Sequence, residues 1–255
     1  MKRRKWIAYP RYIFRKELAL SLIRKNVPAG SKFLEVGCAS GDFGITLAGM
    51  GYRGLMIDFS DEAADETTKN LKEKKVTNVR FENKDLRGIG VEGKFDLVTL
   101  FEVLEHIEDD KAFLYKINEL LKTGGKLLCS VPSRQKLWGA NDVLAGHIRR
   151  YEKEDLTKLF EISGFRIIEF FSYGFPWLNM IKYFRDFVAR KVLEKQEQGS
   201  RVLRTKKSGL NIIAIETPLF GFISNKYFLF LPIHISRLFN RFDLAEGYLC
   251  LAHKK

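Results

Sequence analysis

Between residues 32 and 131 of this 255-residue chain, short apolar runs and helical stretches alternate five times. Lys32-Phe-Leu-Glu-Val36 reads as a strand running straight into the turn Gly37-Cys-Ala-Ser-Gly41, and residues 42–50 carry a helical pattern. Leu55-Met-Ile-Asp58 is a second strand, Asp61 to Lys75 a polar helix capped by Ser60 or Asp61, and Val79 to Glu82 a third strand. Phe95 to Phe101 is apolar on both faces, which marks a central parallel strand. Asp109 to Lys122 is a helix stopped by Gly124-Gly125, and Lys126 to Val131 is a fifth strand ended by Pro132. This alternation predicts an α/β fold, an open and mostly parallel sheet with helices on both faces. A ligand then belongs at the carboxyl ends of the strands, near the point where strand order reverses.

The flanks read differently. Residues 10–26 form a basic amphipathic helix ended by Pro28-Ala-Gly30. Ser133 to Tyr151 is a polar loop or short helix, Lys153 to Ser163 a helix closed by Gly164, and Phe165 to Phe171 a strand. Residues 175–244 break the alternation with two apolar, basic helical stretches around a polar joint, Glu194 to Ser208, and Gly247 to Ala252 is the last strand. The domain reading is a basic arm over 1–30, one α/β domain over 31–174 and 245–255, and a helical lid inserted over 175–244.

Charge follows this division. The net charge of +13 divides into +8 for residues 1–30, −3 for 31–170 and +8 for 171–255. Basic ends suit an anionic membrane surface, a nucleic acid or a phosphorylated ligand, or are simply a solvated surface. Cys38, Cys129 and Cys250 are too scattered for a disulfide framework or a zinc pair, and suit a reducing cytoplasm. Charged residues from Arg11 to Glu17 interrupt any secretory signal, and Lys226 interrupts the most apolar stretch, Pro218 to Ile235. The expected location is the cytoplasm, with peripheral membrane contact as an option.

Glycines at 37 and 41 let the chain bend tightly out of a strand and let a ligand lie against the backbone. The following helix offers free N–H groups to a polar or anionic group. Asp58, at the end of the second strand, is placed to accept both hydroxyls of an adenosine ribose. Asp85-Leu86 and Phe101-Glu-Val-Leu-Glu-His106 follow the third and fourth strands and border the same crevice. Gly37-x-Ala39-x-x-Asp42 lacks the glycines that a dinucleotide pyrophosphate needs, which weakens a dehydrogenase reading.

Five segments carry a resemblance: Phe33 to Gly41, Gly54 to Asp58, Asn83 to Leu86, Phe95 to Ile107 and Leu120 to Leu127. Together they resemble the S-adenosylmethionine-dependent methyltransferases with the Rossmann-like fold, most of all the branch that includes ubiquinone and menaquinone biosynthesis methyltransferases. The resemblance implies a seven-stranded sheet with an antiparallel last strand. It implies that Gly37, Ala39 and Gly41 lie against the methionine part of S-adenosylmethionine, with Glu35 near its amino group. It places Asp58 on the ribose with Phe59 beside it, and Asp85 and Leu86 at the adenine. Phe101 and Glu102 border the same site. Ala39 stands where the family often has glycine, and a negative φ would let alanine keep the turn.

Methyl transfer to a hydroxyl requires a base, and His106, beside Glu105, is the candidate. A helical turn would put Glu102, Glu105 and His106 on one face, where with His147 they could hold a divalent metal, as in some quinone O-methyltransferases that this set resembles. Gly146-His-Ile-Arg-Arg-Tyr151 places Arg149 or Arg150 for an anionic substrate and Tyr151 to close a pocket. Residues 171–255 hold 15 of the 33 aromatics, Trp177 among them, with many aliphatics, which favours a greasy lid or membrane face over nucleic acid. The expected activity is methyl transfer to a small, hydrophobic or lipid-linked acceptor. The alternatives are an RNA methyltransferase and a non-catalytic cofactor-binding protein. The Asn/Asp-Pro-Pro-aromatic signature of base-amine methyltransferases is missing after the fourth strand.

Overall fold

A change of apolar period from 3.6 to 2 marks each passage from helix to strand, and a computed structural model, which describes residues 9–86, 95–195 and 229–255, follows those changes closely. The elements run α1 (Pro10–Asn26), β1 (Lys32–Val36), α2 (Asp42–Gly49), β2 (Arg53–Asp58), α3 (Asp61–Glu73), β3 (Val79–Asn83), β4 (Phe95–Phe101), a 3₁₀ turn (Leu104–His106), α4 (Asp110–Leu120) and β5 (Leu121–Pro132). They continue with α5 (Ala140–Ala145), α6 (Lys153–Ile162), β6 (Phe165–Tyr173), α7 (Trp177–Lys195), α8 (Phe230–Arg237) and β7 (Gly247–Lys254).

The seven strands form one sheet in the order β3-β2-β1-β4-β5-β7-β6. β1 to β5 pair in parallel, and β7 runs antiparallel between β5 and β6. The order reverses between β1 and β4, so the turn after β1 and the turn after β4 lie side by side.

Side chains alternate across this sheet, and each face has its own core. Phe33, Met56, Leu97, Leu128, Leu249 and Leu251 pack with α1 and α2, and with Leu178 of α7 and Ile233 of α8. Leu34, Ile57, Val98, Leu100, Leu127, Cys129 and Cys250 face the other way, toward Leu114 and Ile117 of α4 and Leu156 and Phe160 of α6. Each such buried side chain contributes about 1.5–3 kcal/mol. All three cysteines are buried free thiols.

Two local expectations need correction. The fourth helix ends at Leu120 rather than near Gly124. Leu121 already pairs with Phe95 across the sheet, and Gly124, at φ +72°, lets β5 shift register before Lys126 joins the ladder. Glu102 and Glu105 do not share a helical face. Glu102 sits at φ +56° in the bend after β4, and only Leu104 to His106 turn, as a 3₁₀ segment.

The basic arm also behaves unexpectedly. α1 buries Phe14, Ala19, Leu20, Leu22 and Ile23 against the sheet, and turns three of its cations inward, Arg11 and Arg15 to Glu102 and Lys16 to Asp42. Glu102 and Asp42 thus pair with three of the nine cations of residues 1–30, four of which lie outside the described residues. No described helix is long and apolar enough to cross a membrane. The stretch with Phe220, Phe222, Tyr227 and their aliphatic neighbours lies outside the described residues, as do 1–8 and most of the polar joint.

Candidate active site

The turn between β1 and α2 is built from several directions at once. Gly37 and Gly41 have φ of +73° and +71°, which only glycine adopts without strain. Ala39 has φ +49°, so the expected negative value is wrong. The surroundings impose the conformation: the Ala39 N–H donates to Asp58 Oδ2 at 2.9 Å, and its carbonyl accepts from Thr67 Oγ1 at 2.8 Å. Asn70 adds a bond to the Ser40 carbonyl at 2.9 Å. Thr67 and Asn70, both on α3, were not visible as site residues in the sequence, where they read as part of a polar helix face.

Glu35 is buried beneath this turn, and its Oε2 has no hydrogen-bond partner among the described residues. Burial lifts its pKa to about 8, against the pull of the Gly44 backbone N–H. An orphaned buried carboxylate under a positive-φ cradle fits the amino group of an amino-acid moiety. Asp58 ends β2, and its Oδ1 accepts from the Ser60 N–H at 3.0 Å. Burial raises its pKa, and its two oxygens retain lone pairs beyond those bonds. Ser60, not Asp61, caps α3, through a bond from the Ala63 N–H at 3.1 Å. Phe59 is half-exposed on the rim, Asp85 is exposed at the end of β3, and Leu86 is buried beside it.

The bend after β4 completes the crevice. A Cβ on Gly37 would fall 2.5 Å from Val103 Cγ2, so the two turns touch. Phe101 is buried edge-on against Phe43, ring centroids 4.8 Å apart, as part of the core. Glu102 is held by Arg11 at 2.7 Å, Arg15 at 3.3 Å and the Ser130 hydroxyl at 2.9 Å. Burial opposes its charge, but the two arginines pull its pKa down to about 2. Ligation of Glu102 to a metal would have to break this clamp.

Glu105, His106 and His147 do converge, with one ligand atom from each within 4.8 Å of the others. Glu105 is fully buried, and neither carboxylate oxygen has a hydrogen-bond partner among the described residues. Burial, then the nearby Glu102, pushes its pKa well above the usual range. His147 Nε2 lies 3.7 Å from Glu105 Oε1, and the two imidazoles stand edge-on with centroids 4.9 Å apart. His106 Nδ1 is 3.2 Å from the Gly146 carbonyl.

The remaining sequence candidates have structural partners. Arg150 is buried, donating to Asp142 at 2.9 Å and to the Ser133 carbonyl at 3.1 Å. Arg149 pairs with Asp110 at 2.7 Å. The Tyr151 hydroxyl is 3.1 Å from the Leu104 carbonyl and 2.9 Å from Asp110, which fixes the 3₁₀ turn. These contacts carry Arg150 and Tyr151 away from the substrate role expected of them. Trp177, at the start of α7, keeps its Nε1 buried without a hydrogen-bond partner among the described residues.

A parallel sheet with a glycine cradle after β1, an acid ending β2 and a carboxylate–histidine group after β4 defines a class, the Rossmann-like S-adenosylmethionine-dependent methyltransferases. The family model for the methyltransferase domain matches residues 8–169, and the chain belongs to that family. A mitochondrial ubiquinone biosynthesis O-methyltransferase of Schizosaccharomyces pombe is 33% identical over 129 residues, 49% of this chain and 47% of the relative. The chain thus spans about half the length of the curated relatives it matches. Among solved structures, the cyclase SpnF superposes with a TM-score of 0.63 at 16% identity, covering 94% of this chain and 80% of that one. A methyltransferase from Clostridium acetobutylicum superposes at 0.53 and 17% identity, covering 62% and 82%. These likenesses show the fold, and a cyclase among them underlines that the reaction must be argued from the site.

Proposed function

We propose that this chain transfers a methyl group from S-adenosylmethionine to a hydroxyl of a small, hydrophobic or lipid-linked acceptor. The observation that carries this reading is the convergence of Glu105, His106 and His147 on the carboxyl edge of β4, beside the glycine cradle of β1. The likeness to ubiquinone biosynthesis O-methyltransferases supports oxygen as the acceptor atom.

When bound, S-adenosylmethionine supplies an electrophilic methyl carbon on a sulfonium. Glu35 receives the amino group, Asp58 the ribose hydroxyls, and the α3-stapled turn holds the methionine part in place. His106 is the base that takes the hydroxyl proton as the oxygen–carbon bond forms and the sulfonium–carbon bond breaks. In a second reading Glu105, His106 and His147 would hold a divalent cation, which would orient the acceptor oxygen and acidify its proton, with His106 a ligand in place of the base. Glu102, tied to α1, is outside that set.

Exposed Met180, Tyr183, Phe184 and Phe187 recur on α7 at helical spacing, with Arg190 and Lys191 beside them. Such a stripe supports an apolar acceptor and peripheral contact with an anionic membrane. The inward-turned cations of α1 weigh against RNA. The test is incubation of the protein, and of Asp58→Ala, with methyl-labelled S-adenosylmethionine and a cell extract, followed by partition. Asp58-dependent label in the organic phase is expected. Label in a nuclease-sensitive polymer would replace this reading with RNA methylation, and tight cofactor binding without label in any fraction would leave a non-catalytic protein.

A further inference from the structure

Asp142 lies outside the turns that carry the cofactor and acceptor groups, yet it is completely buried and accepts from three donors. Its Oδ2 takes the Gly139 N–H at 2.8 Å, while Oδ1 takes Arg150 Nε at 2.9 Å and faces His147 Nδ1 at 2.8 Å. The same two residues are joined again through the backbone, from the His147 N–H to the Asp142 carbonyl at 3.0 Å. The five-residue step from Asp142 to His147 closes over Gly146, at φ +79°, so the backbone bond holds the His147 main chain and the side-chain bond holds its imidazole. A carboxylate ringed by an arginine and a backbone N–H is an acceptor only, so the imidazole must donate from Nδ1. That leaves the Nε2 lone pair pointed at Glu105 and the His106 ring. In metal sites and hydrolase triads alike, a buried acid behind a histidine fixes which nitrogen works.

We propose that Asp142 is a positioning residue for the methyl-transfer site, locking His147 in the Nδ1–H tautomer so that Nε2 presents a lone pair to the Glu105–His106 group. The inference rests on the reading above for its purpose, but not for its test. The grip on Asp142 extends to the lid: Asp186 of α7 accepts from the Asn141 N–H at 3.1 Å, with Lys182 paired to it. α7 thus holds the short helix that carries the positioning residue.

The chain has four histidines, so the ring nitrogens of ¹⁵N-histidine-labelled protein can be assigned by NMR through single His→Gln variants. His147 is expected to carry its proton on Nδ1 in the parent and on Nε2 in Asp142→Asn, because the amide can turn its NH₂ toward Nδ1. With the organic-soluble extract as acceptor, kcat of Asp142→Asn should fall at least about 100-fold while the KM for S-adenosylmethionine stays within about twofold. Arg150→Gln, which removes the other side-chain donor but leaves the Asp142–His147 bond, should lower Tm and keep the parent tautomer. A parent His147 protonated on Nε2, or a tautomer change as large in Arg150→Gln as in Asp142→Asn, would overturn the proposal. So would Asp142→Asn keeping the parent tautomer. The NMR arm needs no acceptor, so absence of methyl transfer would refute the proposed function without touching this one.

Discussion

Replacing Glu102 by Gln should break the clamp between the basic helix and the bend after β4, and the cost follows from the structure. The Arg11 and Arg15 clamp pulls the Glu102 pKa from 4.5 to about 2, which corresponds to about 3 kcal/mol of folding stability at neutral pH. Removing one partner of a buried ion pair costs about 3–5 kcal/mol by an independent route, since it leaves the arginines facing a neutral amide. Because the folded value lies below the unfolded one, the stabilisation is complete above the unfolded value and is lost as pH falls toward about 2. Urea unfolding of parent and Glu102→Gln should differ by about 3 kcal/mol at pH 7, and the gap should narrow by about 1 kcal/mol at pH 3.5. Carboxylates remote from Glu102 titrate equally in both proteins and cancel in the comparison, whereas Glu105, whose pKa Glu102 raises, does not. A gap below about 1 kcal/mol at pH 7, or one that does not change between pH 7 and 3.5, would refute the clamp.

The glycine cradle and its carboxylates give three further predictions. Asp58→Ala removes the carboxylate proposed to accept two ribose hydroxyls and should weaken S-adenosylmethionine binding about 100-fold by calorimetry, at about 1.5 kcal/mol per bond; a change under threefold would remove the ribose role. Glu35 has a pKa of about 8 in the free protein, so pairing with an ammonium near pH 7 should expel close to one proton; titrations in buffers of different ionisation enthalpy measure it, and zero release would contradict the pairing. Gly41→Ala puts a Cβ 2.8 Å from Thr67 Cγ2 at φ +71° and should cost about 1–3 kcal/mol, read as a lower Tm that cofactor only partly restores.

The elements and the crevice formed by the turns after β1 and β2 were legible because they rest on local chemistry. Phe33 to Val36 alternate across a sheet whatever surrounds them, Gly37 and Gly41 answer a backbone demand, and Asp58 ends its strand by counting. The acceptor half was only partly legible. Glu105 and His106 adjoin in sequence, but their partner His147 and its anchor Asp142 come from the turn after α5 and from α5 itself, some 40 residues on. The Asp-x-x-x-x-His spacing was the one signal that could have exposed the anchor. Arg150 looked like a substrate cation until burial paired it with Asp142, and Ala39 looked incompatible with a positive φ until Asp58 and Thr67 were seen to hold it there.

The sequence by itself determined the order of strands and helices, the place of the crevice and the residues that border it, because hydrophobic period and turn chemistry act over a few residues. Only the tertiary structure decided which charges meet. Arg11, Arg15 and Lys16 of α1 face Glu102 and Asp42 while Arg24 and Lys25 stay exposed, and Asp142 stands behind His147. The energy of a charge depends on what approaches within a few ångströms of it and on how much water has been excluded, and neither is written in the linear order of the chain.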